Sequence, residues 1–353
     1  MNYDTELEDL LNTVVTQGAS DLHLSEGRHP TLRSNSELLP LGKKPVLTHD
    51  DLAGLILTLA GKENYDRFLK TKELDFSYQY KDVARFRGNA FFQRGHMGAA
   101  LRLIPKKIKT FSELNLPPFL ENFTRKSQGF FLVVGPVGQG KTTTLASMIE
   151  LINNERTEHI ITIEDPIEYV FEQKKSIIDQ REVRIDTETF ESGLLSVFRE
   201  DVNVILLGEM RGHETMAAAV TAAETGHLVL STLHTNNAAQ TIDRIIDSFP
   251  AAQQDQIRIQ LSSSLTGIFS QRLIPRISGG LIPAYELLIS NSAVANLIRE
   301  KRTHEINTVI ETGQQEGMID FNRCLADLVR RGEITIENAY QHSLNPAILE
   351  RLL

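Results

Sequence analysis

Leu7, Leu10, Leu11, Val14 and Val15 recur at i, i+3, i+4, i+7 and i+8, so the chain opens with an apolar stripe along one helix, closed by Gly18. A short strand is predicted at 21–24, and the cluster Thr48-His49-Asp50-Asp51 caps a helix through 52–59. Leu74, Phe76, Tyr78 and Tyr80 then alternate with polar residues, Lys81-Asp82 turns the chain, and 83–93 returns as a second strand. A third strand at 99–104 ends in Pro105. This pattern describes a small α+β domain with an antiparallel sheet. Residues 105–118, with three prolines and a lysine cluster, read as a linker. Beyond it, short β-branched runs alternate with helical stretches, which predicts a parallel sheet with crossover helices. Its strands fall at 130–134, 159–163, 204–207 and 227–231. After about residue 290 the pattern is helical and amphipathic, over 293–299, 321–329 and 337–340.

Composition narrows the class. The 353 residues are 41% apolar and 24% charged, the balance of a soluble globular chain of about two domains. No apolar run approaches the ~18–20 residues of a membrane span. Asp4, Glu6, Glu8 and Asp9 stand where a secretory signal carries basic residues, so the expected location is the cytosol. The single cysteine, Cys324, excludes an intramolecular disulfide and a multi-cysteine zinc site, and reads as a small buried hydrophobe.

The net charge of −9 is divided unevenly. Residues 1–110 carry 16 cations and 14 anions, a net of +2, whereas 111–353 carry 21 and 32, a net of −11. The run Arg85, Arg87, Arg94, Arg102, Lys106, Lys107 and Lys109 contains no carboxylate. Such a run either faces an anion or is a solvated basic face.

The chemistry concentrates beyond the linker. Gly135-Pro136-Val137-Gly138-Gln139-Gly140-Lys141-Thr142, followed by Thr143, matches G-x-x-x-x-G-K-[ST] between an apolar strand and a helix. Glycines let the backbone N–H groups converge on phosphate oxygens, and the helix beginning at Lys141 adds the positive end of its dipole. Lys141 reaches the β- and γ-phosphates and the Thr142 hydroxyl ligates Mg²⁺. Glu209, ending the apolar run 204–207, is the candidate to complete the metal's water shell. Glu164, Asp165 and Glu168 cluster around Pro166 after another strand, where a carboxylate can orient or deprotonate water, or be merely solvated. His227 and His234 bracket the last strand of the set, and His234 lies where a γ-phosphate sensor would sit.

Together these elements resemble the secretion ATPase superfamily, and within it the PilT family of type IV pilus retraction ATPases. The resemblance includes 19–24 and 83–87 in the first domain, the P-loop, 162–168 (similar to the family's Asp box), 207–211 (its Walker B motif) and 221–235 (its His box). Near the end, Ala293-Val294-Ala295-Asn296-Leu297-Ile298-Arg299-Glu300 looks like the AIRNLIRE motif, with valine for isoleucine and Ala295 for arginine. That departure bears on the direction of pulling, which the family ties to this motif, and not on ATP turnover.

The resemblance implies a PAS-like N-terminal domain (1–104), a linker (105–118), a RecA-like P-loop ATPase core (119–290) and a helical C-terminal region (291–353). It implies ATP and Mg²⁺ as cofactors, with Glu168 as catalytic base, Glu209 supporting the metal, and His227 and His234 sensing the γ-phosphate. Arg85, Arg87, Arg94 and Arg102 stand where the family's phosphate-closing arginines would be. The expected assembly is a homohexameric ring at the cytoplasmic face of the inner membrane. Its partners would be the platform protein of a pilus machine and a second retraction ATPase. Three other readings compete. A pilus assembly or secretion ATPase usually carries a longer N-terminal region and a tetracysteine subdomain. A non-hydrolysing ATP-binding adaptor needs neither Glu168 nor Glu209. A nucleic-acid translocase is disfavoured by the net charge and by the lack of an aromatic-interleaved basic stripe, and direct membrane insertion is not expected.

Overall fold

The computed structural model describes residues 2–34, 37–104 and 107–353. Pro105 and Lys106, from the expected linker and basic run, lie outside the described residues. Contacts divide the chain into two units, one running to Lys107 and taking in Pro166–Val170, the other Ile108–Asp165 with Phe171–Leu353.

In the first unit, α1 (Tyr3–Thr16) is capped by the Asn2 side chain, which accepts from Thr5 N, and buries Leu7, Leu10, Leu11 and Val14. Each such leucine contributes roughly 2 kcal/mol by leaving water. The chain continues through β1 (Asp21–Ser25), β2 (Thr31–Ser34), β3 (Glu37–Pro40), α2 (His49–Thr71), β4 (Glu73–Tyr80), β5 (Ala84–Gln93) and β6 (His96–Ile104). Thr48 and Asp51 form a reciprocal capping box at the start of α2. The six strands make one antiparallel sheet in the order β3-β2-β1-β6-β5-β4. Pairing of β5 with β6 sets Arg87 opposite Arg102, while Phe86, Ala90 and Leu101 turn into the core. The pattern 83–93 and 99–104 foretells this hairpin; β2 and β3, with few apolar residues, it does not.

The second unit begins at Ile108, inside the stretch 105–118, and Phe111 and Leu116 there are buried. There follow α3 (Glu121–Thr124), β7 (Gly129–Val134), α4 (Lys141–Glu155), β8 (His159–Glu164), β9 (Ile177–Glu182), α5 (Phe190–Val197), β10 (Val204–Leu207), α6 (His213–Glu224), β11 (Leu228–Leu233), α7 (Ala238–Asp247), α8 (Ala251–Ser264), β12 (Leu265–Pro275) and β13 (Leu281–Ile289). The sheet order is β13-β12-β7-β11-β10-β8-β9, parallel from β12 to β9 with β13 an antiparallel edge. Every residue of β7, β10 and β11 is buried, as befits strands covered on both faces by helices.

The helical end comprises α9 (Ser292–Arg299), α10 (Ile306–Thr312), α11 (Phe321–Arg330), α12 (Ile336–His342) and α13 (Pro346–Leu352). Val294, Leu297, Ile298, Ile306 and Ile310 join the main core, while Phe321, Leu325 and Cys324 pack on Ile274 and Ile282 of the β12–β13 hairpin. Burial pushes the Cys324 thiol up to about 12, so it behaves as a hydrophobe. Among the described residues no helix is long and apolar enough to cross a membrane.

Candidate nucleotide site

Parallel strands bring their carboxyl ends to one edge of the sheet, and there open α/β sheets bind ligands. The loop after β7 is the P-loop. Gly135, Gly138 and Gly140 hold φ of +147°, +79° and +78°. A Cβ on Gly135 would stand 2.3 Å from the Gln271 carbonyl oxygen, so only glycine fits there. α4 begins at Lys141, and its N-cap, Gly140, makes no side-chain capping bond. The N-terminus of a helix behind a glycine-rich loop is suited to phosphate. Thr142 and Thr143 are half-buried on its first turn.

Lys141 is buried, and its ammonium donates to the carbonyls of Gly135 at 2.8 Å and Pro136 at 2.9 Å. Its Nζ also lies 3.2 Å from Nδ1 of His234, the first residue beyond β11. His234 Nε2 is in turn 3.5 Å from the Glu209 carboxylate, just past β10. Two hydroxyls lock the exits of these strands together: Ser231 donates to the Leu207 carbonyl at 3.0 Å and Thr232 to that of Gly208 at 2.7 Å. Glu209 also pairs with Arg211. Burial pushes the Glu209 carboxyl up, but the hydrogen bond and charge of Arg211, then those of His234, outweigh it and hold the group below the ordinary carboxylate value. Thus a lysine, a histidine and an ionised carboxylate stand in line. Beside the last two opens a cleft of about 480 Å³, walled also by Arg211, Gln240, Asp243 and Arg244.

The other expected residues distribute unevenly. Glu164, at the end of β8, is buried and accepts from the Thr162 hydroxyl at 2.7 Å and from Gln180 at 3.3 Å. Asp165 pairs with Arg184 at 3.3 Å. Glu168 groups with the first unit, where its carboxylate accepts from Arg87 at 3.1 Å. Arg85, Arg87 and Arg102 occupy neighbouring positions of the β5–β6 ladder, and Arg102 pairs with Asp21 at 2.9 Å. Arg94 is not with them: with φ +52° it forms the β5–β6 turn, seven residues from Arg87, because a tight hairpin needs a positive φ there.

His227 is likewise separated from the P-loop. It precedes β11 at the amino end of the sheet, about 20 Å along a six-residue strand from His234. Its Nδ1 meets the Ala222 carbonyl at 2.9 Å and its ring abuts Phe198. A strand carries its two ends to opposite edges, so two histidines bracketing it do not meet.

Sequence reasoning missed the brace of the P-loop. Gln271, buried in β12, accepts from the Thr144 hydroxyl at 2.7 Å and donates to the Gln139 carbonyl at 2.8 Å, while Gln139 Oε1 accepts from Leu273 N at 2.7 Å. Its neighbour Ser270 donates to the Asn236 carbonyl at 2.8 Å, beside the His234 loop. The available signal was polar residues inside an otherwise apolar run.

A P-loop, a strand-end carboxylate and a histidine at one edge of a parallel sheet define a P-loop nucleotide-binding domain of the nucleotide-hydrolase type. Residues 99–315 match the type II/IV secretion system protein family. The chain is 44% identical over 341 residues to the type IV pilus retraction ATPase PilT of Pseudomonas aeruginosa, covering 97% of this chain and 99% of that one. It is also 44% identical over 302 residues to a twitching motility protein of Neisseria gonorrhoeae, covering 85% and 81%. A crystal structure of the pilus retraction motor PilT with bound ADP superposes with a TM-score of 0.91, at 45% identity over 98% of both chains. The chain therefore belongs to the type II/IV secretion system protein family, as an ATPase of the PilT type.

Proposed function

We propose that this chain is a motor that hydrolyses Mg-ATP to power type IV pilus retraction. It would work as a homohexameric ring at the cytoplasmic face of the inner membrane, against the platform protein of the pilus machine and beside a second retraction ATPase. The observation that carries the reading is the line of Lys141, His234 and Glu209 at the mouth of the P-loop.

In this reading the P-loop N–H groups from 137 to 143 receive the phosphates and the Lys141 ammonium leaves its loop carbonyls for the β- and γ-oxygens. Thr142 and Glu209, a hydroxyl and an ionised carboxylate, are hard oxygen donors suited to Mg²⁺ or its waters; when bound, that ion neutralises developing phosphate charge. Glu168 takes the proton of the attacking water as the water oxygen bonds the γ-phosphorus and the bridging P–O bond breaks. His234 follows the γ-phosphate through its contacts with Lys141 and Glu209. Arg85, Arg87 and Arg102 supply cations to the triphosphate. We divide the motor into the nucleotide-closing residues 1–104, the ATPase core 119–290 and a force-transmitting end from 291 to 353.

Pure protein should release phosphate from ATP, and Lys141→Ala should not. Binding of ATP without release would favour an adaptor. A deletion strain should accumulate pili; bald cells would identify an assembly motor instead.

A further inference from the structure

α7 joins the candidate site to the helical end of the chain. Its first residue follows His234 by four positions, and that junction is rigid: the Thr235 and Thr241 hydroxyls meet at 2.7 Å, Asn237 caps the Gln240 N–H at 2.8 Å, and buried Glu286 accepts the Ala238 N–H at 2.8 Å. One side of the helix, through Gln240, Asp243 and Arg244, walls the cleft that Glu209 and His234 share. Another side, through Ile242, Ile245 and Ile246, lies in one core with Val294, Leu297, Ile298, Ile306 and Ile310 of α9 and α10.

Apolar packing is not directional and leaves small rotations of a helix inexpensive. A hydrogen bond has a required direction and length. Such a bond is present where the segment after α9 crosses α7: the hydroxyl of buried Thr303 donates to the Asp243 carboxylate at 2.7 Å.

We propose that Asp243 is a positioning residue for ATP hydrolysis: held by Thr303, it fixes the rotation of α7, and with it His234 and the cleft wall beside Glu209. Movement of the helical end is thereby felt at the site, and the site's state is felt at the helical end. The inference rests on the reading of Lys141, His234 and Glu209 as the ATP site.

The test compares Thr303→Val, which keeps the packing and removes the hydroxyl, with Thr303→Ser, Asp243→Asn and the double variant Asp243→Asn/Thr303→Val. Steady-state hydrolysis of Mg-ATP and thermal unfolding of the full chain are read together. Thr303→Val should lower kcat about 3- to 10-fold, the scale of one hydrogen bond, with KM within about 2-fold. Thr303→Ser should restore kcat, and the double variant should be no slower than the slower single one. Three results would overturn the proposal: an unchanged kcat in Thr303→Val, losses that add in the double variant, or a kcat that falls only in step with the melting temperature. Lys141→Ala is run alongside; turnover persisting there would refute the ATP-site reading itself, whatever the Thr303 variants do.

Discussion

His234 Nδ1 lies 3.2 Å from Lys141 Nζ, so the imidazole stands directly against the ammonium that the P-loop presents to phosphate. Its Nε2 faces the Glu209 carboxylate at 3.5 Å. The ring therefore stands between a cation and an anion.

Removing that ring should uncouple the two. His234→Ala is expected to lower kcat roughly 10- to 100-fold while nucleotide still binds, whereas Lys141→Ala should remove both turnover and tight binding. Phosphate release and ADP binding, measured on the same preparations, distinguish these outcomes.

Glu209 is held below the ordinary carboxylate value by Arg211 and His234 against the effect of its burial. A lowered carboxylate is ionised at every pH above its unfolded value and loses its benefit only as pH falls through the folded one. Loss of activity between pH 7 and 5.5 should therefore not stem from Glu209. Glu209→Gln should slow turnover about 100-fold across pH 6–9 without changing the shape of the profile, as a pH series of kcat will report.

Gln271 touches no nucleotide in our reading, yet it spans Thr144 and the Gln139 carbonyl. Gln271→Leu leaves buried polar groups without partners, costing about 1–3 kcal/mol of stability. Because the P-loop loses its brace, KM for ATP should rise about 5- to 10-fold with a smaller change in kcat. Steady-state kinetics with a melting curve test both parts.

Glu286 responds to pH in the opposite sense to Glu209. Burial pushes its carboxyl up to about 7, only partly offset by the Ala238 N–H, and the charge of Asp320 adds to the rise. A raised carboxyl is protonated in the folded chain when the unfolded one has already ionised, so stability falls as pH rises from about 4.5 to about 7. The loss amounts to roughly 3 kcal/mol over that window. Glu286→Gln keeps an acceptor for Ala238 and should flatten this part of the curve of melting temperature against pH.

What was legible in the sequence was local. The stripe of α1, the capping box of α2, the fully buried β7 and the P-loop each lie in one contiguous stretch, where periodicity or glycine spacing reports the geometry directly. Glu209 and His234 were legible as strand ends, because the carboxyl edge of a parallel sheet is a consequence of topology. β12 and β13 were not legible: Ser270, Gln271 and Glu286 sit polar in buried strands, and their partners in the P-loop and around α7 are far away in the chain. The same limit applies to other residues of these motifs. His227 and Arg94 belong to promising motifs, but a strand's length and a hairpin's turn carry them away from His234 and Arg87. Spacing along the chain determines which chemical groups are present and which element holds each. Only the packing of distant segments, in which a buried polar side chain must find a partner, decided which of those groups meet.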